Sequence, residues 1–199
     1  MNEEKENIMK TQLLIALKFF LVMTVLTGIA YPLMMTGLAQ LCFPSKANGS
    51  LIMKNGKIAG YELIGQKFDS SIYFWSRPSA VDYNPVPSGA SNFGPTSSKL
   101  QKQVSERRML FAARNSITDL ASIPKEMIFA SASGLDPHIS PEAALCQLNR
   151  VATARNFNAV QKQKIHQLIK GMTEGPQYFI FGEPRINVFK LNLAVDNIR

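Results

Sequence analysis

Six side chains that could take part in acid, base or nucleophilic chemistry fall within one stretch, ASASGLDPHISPEAA at residues 130–144. They comprise hydroxyls, carboxylates and an imidazole: Ser131, Ser133, Ser140, Asp136, Glu142 and His138. A serine hydrolase needs a nucleophile, a base within hydrogen-bond reach and an acid that orients the base. All of these types are present, so the stretch raises the hypothesis of a hydrolytic active site.

The spacing of these residues favours an architectural role instead. Catalytic side chains normally meet from separate parts of a chain, and the G-x-S-x-G pattern of a nucleophile elbow is absent around both serines of the ASAS run. The segment GLDP at 134–137 is typical of a turn. Ser140, Pro141 and Glu142 suit the N-cap, the first position and the first turn of a helix. We therefore predict a turn and a helix start here, and no catalytic residue.

Other sites with recognisable motifs are missing as well. The sequence contains no glycine-rich phosphate loop, and His138 and His166 have no cysteine or carboxylate at metal-ligand spacing. Cys42 and Cys146 could form one bridge at most, and their predicted positions argue against it. The net charge of +8 is spread along the chain without interleaved aromatics, which argues against nucleic acid. That charge favours attraction to anionic lipid headgroups, or simply solvated helix faces. We predict no metal site, and we assign no cofactor-binding residue.

One segment is long and apolar enough to cross a membrane. It is uncharged from Phe19 to Phe43, and at about 1.5 Å per residue it exceeds a hydrocarbon core of roughly 30 Å. A cleavable signal peptide usually has an apolar stretch of only about 7–15 residues. A lipoprotein signal would need a small residue before Cys42, where Leu41 stands. We therefore predict an uncleaved transmembrane helix over residues 19–43.

The lysines around this segment do not decide its orientation, because as many follow it closely as precede it: Lys5, Lys10 and Lys18 before, Lys46, Lys54 and Lys57 after. Charges in short flanks direct topology, whereas long domains cross largely regardless of charge. The N-terminal flank is short and the C-terminal part is long. We therefore predict a single-pass protein of the inner membrane, with a cytoplasmic tail over residues 1–18 and an extracytoplasmic domain over residues 44–199.

The membrane segment also contains residues that suit contact with another helix. Thr24 and Gly28 are small residues one helical turn apart, and Pro32 follows one turn later. Small residues let a neighbouring helix approach closely, and Pro32 predicts a kink because it removes an amide and crowds the carbonyl of Gly28. Glycine and proline are also common in membrane helices without a partner. We take Thr24, Gly28 and Pro32 as the candidate packing residues.

The rest of the chain predicts one compact α+β domain with hairpins and about three helices. Asn55-Gly56 between short apolar runs is typical of a type I′ hairpin turn. Residues 78–98 form a long loop rich in proline, glycine and serine, which is either functional or an Ω-like cover over the core. The segment MIFASAS at 127–133 predicts a short strand. Tyr178–Phe181, a turn at 182–184 and alternating Leu191, Leu193 and Val195 predict a terminal hairpin.

The helices are predicted from about 98 to 114, directly after residue 140, and from about 159 to 170 with Gly171 as C-cap. Their inward residues follow from the helical period: Leu100, Val104, Leu110 and Phe111; Leu145, Leu148, Val151 and Ala152; Val160, Ile165, Leu168 and Ile169.

An ordered set of segments resembles the C subunit of the Kdp potassium-transporting ATPase, the KdpC family. The set runs from the membrane segment to the C-terminal region: TGIAYPLMMTGLAQ (27–40), NGSLI (48–52), LIGQKF (63–68), YFWSRPSA (73–80), SGASNFGPTS (88–97), SASGLDPHISPEAA (131–144) and TEGPQYFIFGEPRINVFKLNLAVD (173–196). Two positions depart from the pattern: Ala90 replaces a usual glycine, and Pro176 replaces a usual basic residue.

This resemblance implies a non-catalytic accessory subunit of an ATP-driven potassium importer. Its implied partners are a channel-like potassium-binding subunit, a P-type ATP-hydrolysing subunit and a small membrane peptide. The chain itself contains neither a D-K-T-G-T phosphorylation motif nor a T-V-G-Y-G filter. The resemblance further implies a catalytic chaperone that raises the ATP affinity of the pump subunit, so ATP enters as an implied ligand without assigned residues. The alternatives are a membrane-tethered binding domain of another complex and a tethered serine hydrolase.

Overall fold

The computed structural model describes residues 2–54 and 56–198, with the side chains of residues 2–4 left out. The chain divides into two compact units, Met1–Leu51 and Ile52–Arg199. Asn55, the first residue of the predicted type I′ turn, lies outside the described residues.

The first unit is almost entirely helical. It consists of α1 (Asn2–Val25), a π-helical turn (Leu26–Ala30), α2 (Tyr31–Cys42) and a short α3 (Pro44–Ala47). Between Lys5 and Cys42, 38 residues form a helix whose most apolar window has a mean hydropathy of 2.3, with none of that window buried. This helix is long and apolar enough to cross a membrane. It also includes most of residues 1–18, which were predicted to form a tail.

The second unit is an α+β domain, as predicted. Its first two strands, β1 (Leu51–Lys54) and β2 (Lys57–Tyr61), pair with each other next to Gly56, which has φ +75°. The other elements in chain order are α4 (Ser98–Asn115), β3 (His138–Ile139), α5 (Pro141–Ala154), α6 (Ala159–Gly171), β4 (Ile186–Asn187) and α7 (Val188–Asp196). Strands β3 and β4 pair antiparallel, with His138 opposite Asn187 and Ile139 opposite Ile186.

The domain core lies between helices α4 to α7 and the β3–β4 pair. Its fully buried side chains come from helices α5 to α7, from both strands and from the loops on either side of α4: Phe74, Ile128, Ile139, Val151, Ile165, Ile186, Leu191 and Val195. Helix α4 contributes the buried Phe111 and Ala112. Three residues predicted to face inward are exposed instead: Leu110, Leu145 and Val160. Each lies at the edge of its helix's apolar stripe, where the helical period alone does not decide burial.

Local helix signals predicted the helix boundaries well. The first predicted helix is confirmed as α4, and the third as α6, which ends at Gly171 with Met172 rather than Gly171 at the cap. Helix α5 begins at Pro141 after the Ser140 N-cap, as predicted. Residues 78–97 contain no helix or strand, which confirms the predicted long loop.

The strand predicted over residues 127–133 is wrong. Lys125–Met127 form a 3₁₀ turn, and the following residues have no strand partner. Met127 and Ile128 are buried in the core, but Phe129 is 40% exposed. The N–H of Ser131 donates to the carbonyl of Pro78, and its carbonyl accepts from the N–H of Gly134 within the following turn, so its backbone joins no ladder. An apolar run can therefore fill a core without strand pairing.

The predicted terminal hairpin is also wrong in its second half. Residues 188–196 form α7, a fourth long helix, in which Val188, Leu191, Asn192 and Val195 are buried at helical spacing. The buried polar Asn192 interrupts the apolar pattern and gives the false impression of strand alternation. Only the residues before β4 form a hairpin-like turn, with Tyr178–Phe181 at its tip.

Candidate functional site

The 130–144 stretch forms a supported turn followed by a helix start. Arg77 Nη1 donates to Asp136 Oδ2 at 2.8 Å, and the backbone N–H of His138 donates to Asp136 Oδ1 at 3.0 Å. The His138 Nδ1 atom lies 3.6 Å from the same carboxyl group. Burial alone would raise the pKa of Asp136, but the hydrogen bonds from His138 and the charge of Arg77 lower it below its usual value. Asp136 is therefore an ionised structural carboxylate.

The serines of this stretch serve the backbone. Ser133 Oγ accepts from the N–H of Leu135 at 3.1 Å, and Ser140 Oγ accepts from the N–H of Ala143 at 3.1 Å. Ser131 is buried. These roles agree with a turn and an N-cap. That the chain has no catalytic residue stays a prediction.

A buried polar network holds the segment 70–76, which has no strand or helix of its own. We call Asn115, Gln147, Arg150 and Asn192 the anchoring network. Asn192 accepts from the Phe74 N–H at 2.7 Å and donates to the Phe74 carbonyl at 3.0 Å. Gln147 pairs in the same way with the backbone of Trp75, at 2.7 and 3.2 Å. Side chains thus replace the neighbouring strand that would normally satisfy these backbone groups.

Arg150 is the centre of the anchoring network. Its guanidinium donates to the carbonyls of Ser71 and Tyr73 at 2.7 and 2.9 Å. It also donates to Asn115 Oδ1 at 2.9 Å and to Gln147 Oε1 at 2.8 Å. The guanidinium carbon lies 4.0 Å from the centroid of the Trp75 ring, in cation–π contact. Desolvation lowers the pKa of Arg150 to about 10, which leaves it charged at neutral pH.

The anchoring network was not predicted from the sequence. Its signal was present, because Gln147 lies between inward residues of α5 and Asn192 lies between inward residues of α7. A polar residue at a core position must find a partner, so such positions indicate buried hydrogen bonding. The partner itself is not readable from the sequence, since Asn192 and Phe74 are 118 residues apart.

A cleft lies beside Trp75, with a volume of about 310 Å³. Its floor is apolar, and Lys67, Arg107 and Arg114 also line it. Because aromatic and cationic groups occur together here, we tested it against the ATP that the family resemblance implies. Lys67 is paired with Asp82 at 2.8 Å, and Arg107 donates to the Ile128 carbonyl at 3.4 Å.

Several further properties of the cleft disfavour a nucleotide. Asp69 lines it and would repel phosphate, and the described lining includes no glycine whose backbone could approach a phosphate chain. Trp75 already has the Arg150 guanidinium stacked on its ring. The residues of the cleft therefore do not fit ATP. Within the part of the chain that the structure describes, no group of three His, Cys, Asp or Glu side chains could hold a metal ion.

Of the candidate packing residues, Gly28 lies in the π-helical turn of the long apolar helix, and Thr24 and Pro32 lie within two residues of its ends. The Tyr31 N–H donates to the carbonyl of Leu26, five residues earlier, rather than to that of Thr27. Pro32 follows directly, where its ring would crowd the carbonyl of Gly28 in a regular α-helix. A π turn is one of the local adjustments that accommodate proline in membrane helices. The structure has this wide turn at the position where the sequence predicted a kink.

The π turn changes which side chains share a face. In a regular α-helix, eight residues rotate about 80° beyond two full turns. A π turn contains one residue more than an α-helical turn. The rotation about the helix axis from Thr24 to Pro32 is therefore that of about seven α-helical residues, which is roughly 20° short of two full turns. The hydroxyl of Thr24 donates to the Phe20 carbonyl at 2.8 Å, so this donor has its hydrogen-bond partner within the helix. Added at Gly28, a Cβ atom would meet nothing within 4 Å.

Comparison with known proteins gives matches over nearly the whole chain. The family model KdpC, described as the c chain of the K⁺-transporting ATPase, matches residues 13–197. A potassium-transporting ATPase KdpC subunit of Burkholderia orbicola (strain MC0-3) is 48% identical over 192 residues, 94% of this chain and 97% of the relative. Proteins of the same name from Methylococcus capsulatus and Dechloromonas aromatica are 48% and 46% identical, over 92% and 96% of this chain and 96% and 99% of their own lengths.

Proposed function

Because the chain belongs to the KdpC family, the c chain of the K⁺-transporting ATPase, we propose that it is a non-catalytic accessory subunit of a high-affinity, ATP-driven potassium import complex. Its role is to stabilise the assembly of a channel-like potassium-binding subunit with a P-type ATP-hydrolysing subunit and a small membrane peptide. Its helix crosses the inner membrane with the N-terminus in the cytoplasm, and its domain lies outside, over the potassium entrance.

The π turn of the membrane helix is the observation that supports this role most directly. A helix that only anchors a domain needs length and apolar character, and this one has both. The wide turn in addition brings Thr24, Gly28 and Pro32 towards one face, where little side-chain volume covers the backbone. Such faces allow close approach of a second helix, and π turns inside α-helices are frequent at functional sites.

The anchoring network supports a structural role for the domain. Its buried polar side chains bind the backbone of segment 70–76 and do not form a reactive centre. The hydroxyls of Ser133 and Ser140 accept from backbone N–H groups, and Asp136 is paired with Arg77, which disfavours the serine hydrolase alternative. The raised ATP affinity that the resemblance implies is, in our proposal, an effect of the assembled complex on the pump subunit. We assign no ATP-contacting residue to this chain.

The experiment that tests the proposal is co-purification of the full chain with its potassium-transporting ATPase in mild detergent. We expect a multi-subunit complex with potassium-stimulated ATP hydrolysis, from which Gly28→Leu reduces recovery of the channel-like subunit. Leucine at position 28 has free space within the chain itself, so a loss of recovery would report on a neighbour. Growth at low external potassium should fall in parallel.

Val25→Leu is the matched control, since Val25 lies about 100° away from Thr24 around the helix axis. It should leave recovery and growth unchanged. Equal recovery for the two variants would mean that the helix is an anchor only, and that the domain alone maintains assembly. Purification of the native chain as an isolated monomer would contradict the accessory role itself.

A further inference from the structure

Four consecutive bulky apolar residues are exposed at the tip of the turn before β4. Tyr178, Phe179, Ile180 and Phe181 are 85%, 97%, 78% and 65% exposed, respectively. We call residues 178–181 the apolar tip. Single exposed apolar side chains are ordinary on protein surfaces, but a contiguous group of this size indicates a binding surface.

The apolar tip is held by a frame of hydrogen bonds at its base. Glu174 and Arg185 exchange backbone bonds at 2.8 and 3.0 Å, and Gln177 and Phe181 do so at 2.7 and 2.9 Å. The side chains of Arg185 and Glu174 add an ion pair at 3.3 Å. The tip therefore presents its side chains from a defined turn rather than from an unstructured loop.

The apolar tip also has a backbone conformation that is unusual for its residue types. Tyr178 and Phe179 have φ values of 53° and 63°, in the left-handed region that glycine and asparagine normally occupy in tight turns. Bulky aromatic residues are rare there. Two aromatic side chains thus occupy positions that are unfavourable both for backbone conformation and for exposure to water. Such joint violations are expected at functional sites, where another interaction compensates for them.

The charges around the apolar tip argue against a lipid surface as its partner. Residues 175–182 carry no charge, and the cation nearest to the tip along the sequence, Arg185, is already paired with Glu174. Glu183 adds a negative charge beside the tip. Docking on anionic lipid headgroups uses flanking lysines and arginines, and this flank offers the opposite sign. A neutral, apolar protein pocket matches the tip better.

The size of the apolar tip indicates what kind of protein this partner is. At about 150–250 Å² for each aromatic side chain, the tip offers roughly 600 Å². A stable independent interface usually buries about 800 Å² on each partner. The tip alone is therefore too small to hold a free protein or a second copy of this chain. It suits a partner that other contacts already keep close.

We propose that the apolar tip inserts into an uncharged, apolar pocket on another subunit of the potassium-transporting ATPase complex, with Phe179 as its central anchor. This inference rests on the proposed accessory function and adds the surface through which the domain binds. Aromatic side chains that enter a pocket completely are the residues that dominate interface energetics.

The test uses the full chain expressed with the other subunits of the complex. With the photoreactive amino acid p-benzoylphenylalanine at position 179, irradiation should give a crosslink to one partner subunit, identified by mass spectrometry. Phe179→Glu should raise the dissociation rate of this chain from the detergent-solubilised complex by about tenfold or more. Val160→Glu replaces another exposed apolar residue, on α6, and should leave that rate unchanged.

Phe179 is nearly fully exposed in the chain alone, so Phe179→Glu should leave the fluorescence of Trp75 and the unfolding midpoint unchanged. If the complex forms, two results would overturn the proposal for the tip. One is a crosslink to lipid or to a second copy of this chain, and the other is a native dissociation rate for Phe179→Glu. Failure of the native chain to co-purify with any ATPase subunit would instead overturn the proposed function.

Discussion

Replacing Arg150 by methionine tests whether the anchoring network stabilises the domain. Methionine has a similar length and keeps the contact with Trp75, but it has no donor. The change leaves the carbonyls of Ser71 and Tyr73 and the side-chain oxygen of Asn115 without their donor, whereas Gln147 Oε1 still accepts from the Trp75 N–H. At about 1 kcal/mol for each of these three acceptors, the low end for orphaned buried groups, the loss is roughly 3 kcal/mol.

Part of this loss is offset, because the variant no longer buries a charge. The desolvation that lowers the pKa of Arg150 to about 10 measures the same cost in the native protein. We therefore expect Arg150→Met to lower the free energy of unfolding by about 2–3 kcal/mol.

Urea unfolding of the full chain in detergent micelles measures this change. Trp75 is the only tryptophan of the chain, and it lies against Arg150, so its fluorescence reports directly on the network. Arg108→Met is the matched control, since Arg108 is exposed on α4, and it should change the free energy by less than about 0.5 kcal/mol. A loss below about 1 kcal/mol for Arg150→Met, with native Trp75 emission, would refute the reasoning.

Three further predictions follow from features of the domain. Ser140→Ala removes the N-cap of α5 and should lower the free energy of unfolding by about 0.5–2 kcal/mol in the same urea assay; no change would contradict the capping role. Because the pKa of Asp136 is lowered on folding, its ionisation stabilises the protein above about pH 4, and this contribution is lost as the pH falls through the folded pKa. Asp136→Asn should therefore be less stable than the native protein at pH 7 and equally stable near pH 2, whereas a pH-independent difference would exclude this linkage. A cysteine at exposed Lys164 should react with a membrane-impermeant thiol reagent once the outer barrier is permeabilised; labelling that requires inner-membrane lysis would place the domain in the cytoplasm.

The parts of the fold that local chemistry determines could be predicted from the sequence. The N-cap of α5 is set by Ser140 and its immediate neighbours, and the bounds of α4 and α6 follow from caps and helical period. The disturbance of the long apolar helix was also foreseeable, because a proline in the interior of a helix disrupts the preceding turn. Whether the helix responds with a bend or a π turn depends on how the freed carbonyls are satisfied, which no short pattern encodes.

The parts that depend on distant partners could not be predicted. Polar Asn192 between Leu191 and Leu193 gave the alternating pattern of a strand. Its burial in a helix is explained only by its hydrogen bonds to the backbone of Phe74, which is distant in the sequence. Likewise, Tyr178–Phe181 has the composition of a buried strand, yet the structure exposes all four side chains. Composition cannot distinguish a segment that fills its own core from one that fits the surface of another protein.

The anchoring network has a consequence for how the domain folds. The amide of Phe74 is bonded to Asn192 of α7, and the amide of Trp75 is bonded to Gln147 of α5, both at 2.7 Å. Neither bond can form without its helix in place, and neither amide can open to solvent without separating from a side chain of that core helix. In hydrogen–deuterium exchange these two amides should therefore be protected almost as long as the core helices, although they belong to a loop. Their exchange would follow the cooperative opening of the whole domain rather than local fluctuations.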